Sequence, residues 1–487
     1  MSDSFPAPVY AETVLTHNFA DAQKYFLGSL LEIHYAHTRM LAGRGILTGE
    51  EERKLLASLD GLDRPRILAA KFDGSREDLF FFVEGLLEEA AGRELAGKMH
   101  TARSRNDIAV TLYRMGARRE ILTVTRAIAE VRSVLLKLAG SHVMTVMPAH
   151  THTQPAQPTT LAHYLLAAIE FLSRDATRLR AAYSRVNLSP MGAAAITTSG
   201  FPIDRHATAR FLGFDGLAEN SYGAIAAIDY ITETAAAMAV AMVNMGKLVQ
   251  DLLLWSTREF GFLRLSDAFV QSSSIMPQKR NPVALEHVRI LASRALGEAQ
   301  AVLTCAHNTP FGDINDSEDD LQPLVFTMFG DARRALQLIA GAMRTAQVNA
   351  EAMADRARRD FLTVTELADT LVRSEGLSFR EAHALVADSV RACGLRDDPH
   401  TLAEALLKSR PSLRLTREEI ERCLDPEYFV QIRTVIGGPA REQTSAALER
   451  AGAEQRDIEN WIASSEGLLD AARASVTAKA TSPESPR

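Results

Sequence analysis

Apolar residues recur at positions i, i+3, i+4 and i+7 along five long stretches that contain almost no internal proline. This spacing places the apolar side chains on one face of an α-helix. The pattern predicts five long helices, at about Asp107–Ser141, Thr159–Asn187, Ala224–Phe260, Val283–His307 and Leu321–Arg359. The predicted fold class is therefore all-α, with a long five-helix bundle at its centre.

The stretch Ala224–Phe260 is apolar around most of its circumference, with alanines and methionines such as Ala235, Met238 and Met242. As one helix it would be roughly 55 Å long, and a helix apolar on most sides must be buried on most sides. Four neighbouring helices of one chain hardly supply that cover. We predict that helices of other subunits complete the bundle; a monomeric bundle with one central helix is the alternative.

Shorter amphipathic stretches flank the long helices on both sides. They predict an N-terminal helical domain at 1–105, a central bundle domain at 106–359 and a small C-terminal helical domain at 360–470. The remaining residues, 471–487, end in the polar, proline-containing sequence ATSPESPR. That composition predicts a disordered tail.

Composition agrees with long helices and narrows the possible functions. The 28 glycines and 18 prolines make up 46 of 487 residues, or about 9%, which is below the average of about 12%.

A net charge of −7 gives no general attraction for nucleic acid or an anionic membrane. The three cysteines are too scattered for a disulfide framework or a zinc site. No signal peptide is evident, and the longest apolar run, near Ala235–Val243, is far below the roughly 18 residues that span a bilayer. These features predict a soluble, cytoplasmic protein.

Three polar stretches interrupt the helical pattern and are candidates for chemistry. The first is MHTARSRND at 99–107, which places two arginines and an asparagine just before a helix. Asn106 or Asp107 could cap that helix. A solvated basic turn with a cap is the alternative interpretation.

The second stretch is PAHTHTQPAQP at 148–158, which the prolines predict to be a rigid polar connector. His150 and His152 form an H-x-H pair, but no third metal ligand follows at a suitable spacing. Proton chemistry or anion binding therefore suits these histidines better than a metal.

The third stretch is QSSSIMPQKRNPV at 271–283, which ends where a helix begins. Ser273 offers a hydroxyl group, Lys279 a positive charge and Asn281 an amide to a bound carboxylate. A flexible surface loop is the alternative.

Together the three stretches resemble the fumarase/aspartase superfamily, within it the argininosuccinate lyase branch. The third stretch is similar to the signature G-S-S-x-M-P-x-K-x-N, the first to HTGRSRND and the second to YTHLQRAQP. The resemblance runs from about residue 30 to beyond 440. It implies three mostly helical domains and a homotetramer with a 20-helix core. It also implies active sites shared between three subunits, and elimination of an amine with release of fumarate, without cofactor or metal.

The resemblance also implies roles for individual residues. Ser273 would be the base. Lys279, Asn281 and backbone N–H groups of the third stretch would bind the developing oxyanion, and His152 would contact the reacting carboxylate or relay protons with Glu286. A helix first-turn carboxylate is the alternative for Glu286. The predicted catalytic residues are Ser273, His152, Lys279 and Glu286, and the predicted substrate-binding residues are Ser104, Arg105, Asn106, Thr151, Ser274, Met276 and Asn281.

The part that recognises the leaving amine departs from argininosuccinate lyases. QKYF at 23–26 stands where they have D-x-R-L, and GDINDSEDD at 312–320 replaces Y-N-x-D-x-Q-E-D-K. We therefore expect a different N-substituted aspartate as substrate, an aminopolycarboxylate such as ethylenediamine-N,N'-disuccinate. The acidic residues of 313–320 would suit a cationic diamine, although a carboxylate-rich helix start is the alternative. Argininosuccinate is the main alternative substrate, and a non-catalytic, crystallin-like structural role is a remote one.

Overall fold

The computed structural model describes residues 5–394 and 396–478, and helices dominate it. The all-α prediction is confirmed. Five long helices form the central bundle: Arg105–Ser141, Leu161–Val186, Asp229–Trp255, Val283–Ala306 and Gln322–Arg344. Asp229–Trp255 lies against Val283–Ala306, which in turn lies against Gln322–Arg344. Their inward faces share one apolar core, in which Met238, Leu285 and Phe329 are fully buried.

Two predicted long helices are interrupted. The predicted Ala224–Phe260 helix is a short helix, Ser221–Ala226, followed by Asp229–Trp255, because Ala227 is extended with ψ 122°. The predicted Leu321–Arg359 helix ends at Arg344. The chain then forms the strand Gln347–Val348 and begins a new helix, Ala350–Ala357, whose first turn is capped by the Asn349 side chain.

Helix Asp229–Trp255 is long and apolar enough, by length and composition, to cross a membrane. The apolar stretch of this helix is therefore longer than the run Ala235–Val243 recognised in the sequence. Its inward side chains are buried in the bundle core, as expected for the core helix of a soluble protein. Val240, Val243 and Leu254 remain 37–47% exposed. One side of this helix is thus uncovered within the protomer, and it carries these apolar side chains together with Lys247 and Gln250.

Short strands in the described residues pair only two at a time. Three pairs are antiparallel and one is parallel. The pairs are Val146–Thr151 with Gln154–Thr160, Leu188–Ser189 with Gly216–Leu217, Leu263–Arg264 with Gln347–Val348, and Gln271–Ser272 with Arg280–Asn281. Two of the three polar stretches lie in these pairs.

Shorter helices form the two flanking regions, each around its own apolar core. Before the bundle they are Pro8–Tyr10, the π-helical turn Ala11–Leu15, Thr16–Tyr25, Leu27–Gly43, Gly49–Asp60, Arg64–Ala69, Leu79–Ala91 and Arg93–Met99. Within the central region lie Arg205–Phe211 and the 3₁₀ turns Asp267–Phe269 and Asn315–Ser317. After the bundle they are Val364–Glu375, Phe379–Cys393, Pro399–Ser409, Arg417–Cys423 and Pro426–Gln431.

The last helix, Arg441–Thr477, returns along the bundle and packs on its first two helices. Its Gln455 and Glu454 accept hydrogen bonds from Arg132, whose side chain is fully buried. This packing favours grouping the helix with the bundle rather than with the unit predicted at 360–470. The predicted tail at 471–487 is wrong for residues 471–477, which are helical, with Val476 fully buried. Residues 479–487 lie outside the described part of the chain.

Candidate active site

The stretch predicted to be a connector is a β-hairpin, residues 146–160, here called the histidine hairpin. The backbone of Ala149 pairs with that of Gln157, and Thr151 pairs with Gln154. The prolines of this stretch predict a connector instead of these paired strands. The turn is His152–Thr153, and both residues have positive φ angles, 51° and 62°. Two-residue hairpin turns of type I′ require this conformation, which costs non-glycine residues about 1–2 kcal/mol each. The fold therefore holds Thr151 and His152 at an exposed tip in a strained, fixed turn.

Residues 273–279 form a second loop, here called the serine loop. It is closed by the two-residue pair Gln271–Ser272 with Arg280–Asn281. Ser273 is the first residue of the loop and Lys279 the last. They therefore stand opposite each other, one position beyond the paired residues Ser272 and Arg280. The loop is exposed, and Ile275 at its tip is 84% exposed.

Two backbone N–H groups point at the Ser273 hydroxyl oxygen. Ile275 N donates to Oγ over 3.3 Å and Met276 N over 3.1 Å. Hydrogen bonds to an oxygen that becomes negative favour its ionised form, so they stabilise an alkoxide more than a hydroxyl. The local fold thus supplies part of what a serine needs to act as a base.

Arg280 anchors the closed end of the serine loop. Its guanidinium donates to the Leu265 carbonyl over 2.9 Å and forms an ion pair with Asp267. The sequence did not identify Arg280 as an anchor, because Leu265 and Asp267 follow the strand Leu263–Arg264, which the sequence did not predict.

Glu286 lies in the first turn of Val283–Ala306 and is exposed.

The first stretch is fixed by a helix cap. Ser104, rather than Asn106 or Asp107, is the N-cap of Arg105–Ser141, and Asp107 accepts from Ser104 N over 2.9 Å in a capping box. The other Asp107 oxygen accepts from Gly192 N and Ala194 N over 2.8 and 3.0 Å. Burial raises the pKa of Asp107 to about 6, although these three hydrogen bonds act to lower it. A serine followed three residues later by an acid is the sequence signal for this box.

The three residues predicted to bind carboxylates here are already engaged. The Ser104 hydroxyl donates to Asn106 Oδ1 over 3.1 Å, and Asn106 Nδ2 donates to the Ala195 carbonyl over 3.1 Å. Arg105 makes ion pairs of 3.0 Å with both Glu77 and Asp78. A substrate carboxylate would reach Arg105 only in competition with these two side chains.

A cavity of about 390 Å³ opens beside Arg105 and Asn106. Its walls include aromatic rings, and its remaining charged groups are all carboxylates: Glu77, Asp78, Asp313, Glu318, Asp319 and Asp320. Burial and the neighbouring Asp313 raise the pKa of Glu318 well above its usual range. The helix that follows begins only at Gln322 and has no acidic residue in its first turn. The acidic residues of 313–320, except Asp316, therefore line a cavity and do not form a carboxylate-rich helix start.

Residues 23–26 contribute packing near this cavity. Gln23 donates to the carbonyl groups of Ile67 and Ala70 over 2.6 and 2.9 Å. Tyr25 stacks on Phe326 at 4.3 Å between ring centroids, and Phe26 lines the cavity. This segment thus presents an aromatic wall.

The predicted site residues fall into three separate places within the protomer. Ser104, Arg105 and Asn106 line or border the acidic cavity, Thr151 and His152 lie on the histidine hairpin, and the others lie on or just after the serine loop. Among the described residues no hydrogen bond joins these three places. Thr151, His152, Ser273 and Lys279 are also absent from the lining of the acidic cavity.

Comparison with known proteins identifies the family. Argininosuccinate lyase 2 of Agrobacterium fabrum is 44% identical over 453 residues, 91% of this chain and 89% of that protein. The argininosuccinate lyase of Methanoculleus marisnigri is 40% identical over 93% of this chain and 92% of its own length. The chain belongs to the argininosuccinate lyase branch of the fumarase/aspartase superfamily.

Family models and solved structures agree with this placement. A model described as lyase matches residues 70–297, and one described as argininosuccinate lyase C-terminal matches residues 361–431. A structure of an EDDS lyase variant with bound fumarate is similar with a TM-score of 0.85 and 33% identity, covering 96% of this chain and 94% of that one. The class II fumarase of Schistosoma mansoni, at 15% identity and TM-score 0.69, shares the fold alone. This member of the branch is a carbon–nitrogen lyase that releases fumarate.

Proposed function

We propose that this lyase removes the amine from an N-substituted aspartate other than argininosuccinate, with an aminopolycarboxylate such as ethylenediamine-N,N'-disuccinate favoured. The observation that carries the proposal is the altered recognition segment 312–320, whose acidic residues line the cavity beside Arg105 and Asn106. Glu77 and Asp78 are paired with Arg105, so Asp313 and Asp320 are the carboxyl groups that would face a cationic amine there, next to residues expected to hold the succinyl part. The reaction would require no cofactor, and the enzyme would act in the cytoplasm.

The elimination begins with proton removal from the carbon next to one substrate carboxylate. Ser273 Oγ, reacting as the alkoxide, takes this proton and becomes a hydroxyl, and the electron pair of the broken C–H bond moves into that carboxylate to give an aci-carboxylate dianion. The pair then returns to form the C=C bond of fumarate while the C–N bond breaks on the opposite face. The amine leaves with the electrons of that bond and takes up a proton.

The developing charge requires donors that are in place before the reaction. Lys279 ends the serine loop and Asn281 follows it, and these two side chains would bind the aci-carboxylate, while the backbone N–H groups of Ile275 and Met276 point at the Ser273 oxygen and stabilise its alkoxide. Preorganised donors of this kind contribute about 10²–10³ in rate each, and a positioned base about 10²–10⁴. Ser274 and Met276 bind the same carboxylate, while Thr151 and the Ser104 segment hold the other.

We further propose a homotetramer in which each active site combines residues of three subunits. Two observations support it. The three groups of site residues are separate within the protomer, and apolar side chains are uncovered on two adjacent bundle helices. These side chains are Val240, Val243 and Leu254 on one helix and Ile290 and Leu303 on the next, and they are 37–53% exposed. In such an assembly Glu286 of one subunit would reach His152 of another.

Argininosuccinate is a second candidate substrate, favoured by the names of the sequence relatives. A guanidinium group is also a cation, so the acidic cavity alone does not discriminate between the two. The replaced segments at 23–26 and 312–320 favour the aminopolycarboxylate. Intact Ser273, Lys279 and His152 argue against a purely structural role.

A direct assay tests the proposal. Purified protein is offered ethylenediamine-N,N'-disuccinate, argininosuccinate and simple N-alkyl aspartates while fumarate is followed by its ultraviolet absorbance. We expect the highest kcat/KM with the aminopolycarboxylate. A higher kcat/KM with argininosuccinate would contradict the substrate assignment, and no fumarate from any of them would favour the structural role. Light scattering should give about four times the chain mass of 53.3 kDa.

A further inference from the structure

A second cavity, of about 520 Å³, lies behind the histidine hairpin. The hairpin, the start of helix Leu161–Val186, the end of helix Asp229–Trp255 and residues 429–439 border it, and Leu254 of the proposed subunit interface lies at its edge. Its volume lies within the range of about 300–1,000 Å³ that is typical of small-molecule sites. None of the predicted catalytic or substrate-binding residues lines it.

Tyr164, Trp255, Phe260 and Phe429 contribute aromatic rings to the walls of this cavity. Tyr164 and Trp255 have their ring centroids 4.6 Å apart, and Phe260 lies close to His150 at 5.7 Å. Aromatic faces carry partial negative charge and attract cations placed over them. The walls therefore suit an organic cation with some apolar surface.

Asp251 supplies a charge to the same cavity. Its Oδ2 accepts a hydrogen bond from Tyr164 over 2.6 Å. Among the described residues this is the one hydrogen bond to the Asp251 carboxylate, and no cationic side chain forms an ion pair with it. Oδ1 is thus left as an acceptor at an aromatic wall.

The basic residues around the cavity do not balance that charge. Arg433 is ion-paired with Glu366 over 3.1 Å and stacked on the Phe429 ring. Both ring nitrogens of His163 are occupied by hydrogen bonds, to Thr159 and to the Gly437 carbonyl. Burial lowers the pKa of His150, so this histidine is neutral at pH 7.

We propose that this cavity binds a small organic ammonium ion, with Asp251 accepting its N–H groups and Tyr164, Trp255 and Phe260 covering its alkyl part. The site is separate from the proposed catalytic residues, and the inference does not depend on which substrate the lyase uses. Thr153 lines the cavity and is also the second residue of the turn that carries His152. The cavity therefore reaches the turn of the hairpin, next to His152.

Trp255 makes binding directly observable. The chain has two tryptophans, and Trp461 lies elsewhere, packed edge-to-face on Tyr183. In the full-length Trp461→Phe protein, titration with n-butylammonium should change Trp255 emission saturably. At constant ionic strength, n-butanol and butyrate should give no such change, because they have the alkyl group without the positive charge.

Two further substitutions in the Trp461→Phe background test the role of Asp251. Asp251→Asn still accepts from Tyr164 but lacks the charge, and we expect binding to weaken about tenfold or more. Glu259→Gln removes an equal charge next to Phe260 from a side chain that does not line the cavity, and should bind as before. Circular dichroism checks that each variant is folded. No saturable change, an equal response to n-butanol, or unaltered binding by Asp251→Asn would overturn the proposal.

Discussion

The two hairpins that carry the candidate catalytic residues are built in opposite ways. The histidine hairpin has strands of six and seven residues, buried at its base, and a two-residue turn held in a strained conformation. The serine loop is closed by a two-residue pair, spans seven residues that are exposed except for the half-buried Ser273, and is anchored by the Arg280 side chain. The first is fixed before substrate arrives, whereas the second has few contacts that would resist movement.

This difference agrees with the chemistry assigned to each. A residue that orients a carboxylate gains from rigidity, because misplacement by 1 Å is costly. A serine base needs water excluded around it, which an exposed loop achieves only by closing over the substrate. The comparison predicts that substitutions in the serine loop change turnover, while those in the histidine hairpin that alter its turn also change stability.

The largest effect is expected from Ser273→Ala. Loss of the base should lower kcat by about 10³–10⁴, because no neighbouring group can replace the hydroxyl. Fumarate release measures the effect, and light scattering checks the assembly. Ser272→Ala is the matched control, since Ser272 pairs through its backbone, and should retain near-normal activity. Near-normal turnover by Ser273→Ala would refute the base assignment.

His152→Asn should lower kcat by about 10²–10³ through loss of the imidazole. Asparagine tolerates positive φ, so the turn is kept and the melting temperature should not fall. Steady-state kinetics and a thermal melt are measured on the same preparation. Full activity in this variant would exclude His152 from the reaction.

Arg280→Ala should lower kcat about tenfold and change KM less, because the loop loses its anchor while its catalytic groups remain. Arg280→Lys retains a charge for Asp267 and should recover part of the rate. Equal losses in the two variants would point to a guanidinium-specific role rather than to anchoring.

The smallest effect concerns the strained turn. Thr153→Gly should raise the free energy of unfolding by about 0.5 kcal/mol, since glycine adopts positive φ without steric cost but loses more chain entropy on folding. Ile275→Ser, at the exposed tip of the serine loop, should leave stability unchanged. Urea denaturation at one protein concentration compares them. Destabilisation by Thr153→Gly would show that the turn is not strained.

Strong apolar periodicity predicts the long helices well. The helix Arg105–Ser141, for example, begins two residues before the predicted start at Asp107. Periodicity missed the break at Ala227 and the strand Gln347–Val348, because neither carries a proline, and the strand forms only through pairing with the distant residues Leu263–Arg264. It also missed the histidine hairpin, since prolines in 148–158 hid a strand pair that tolerates them at its edges.

For the site, short motifs identified the residues but could not reveal their present contacts. Arg105 is paired with Glu77 and Asp78, and Asp107 ties the helix start to Gly192 and Ala194. Such pairings join residues far apart in the chain, and periodicity carries no information about them. The carboxylates of 313–320 were noted, but only the fold shows that four of them face one cavity with Arg105.

The burial of Arg132 bears on how the chain folds during synthesis. This guanidinium lies in the first bundle helix, yet Gln455 and Glu454 follow it by more than 320 residues. At 5–20 residues per second the ribosome needs roughly 16–65 s to make that span. Among the hydrogen-bond partners of Arg132 in the described residues, Ser173 is the one that has been made until then. This side of the nascent bundle therefore stays uncovered until the last helix has been synthesised.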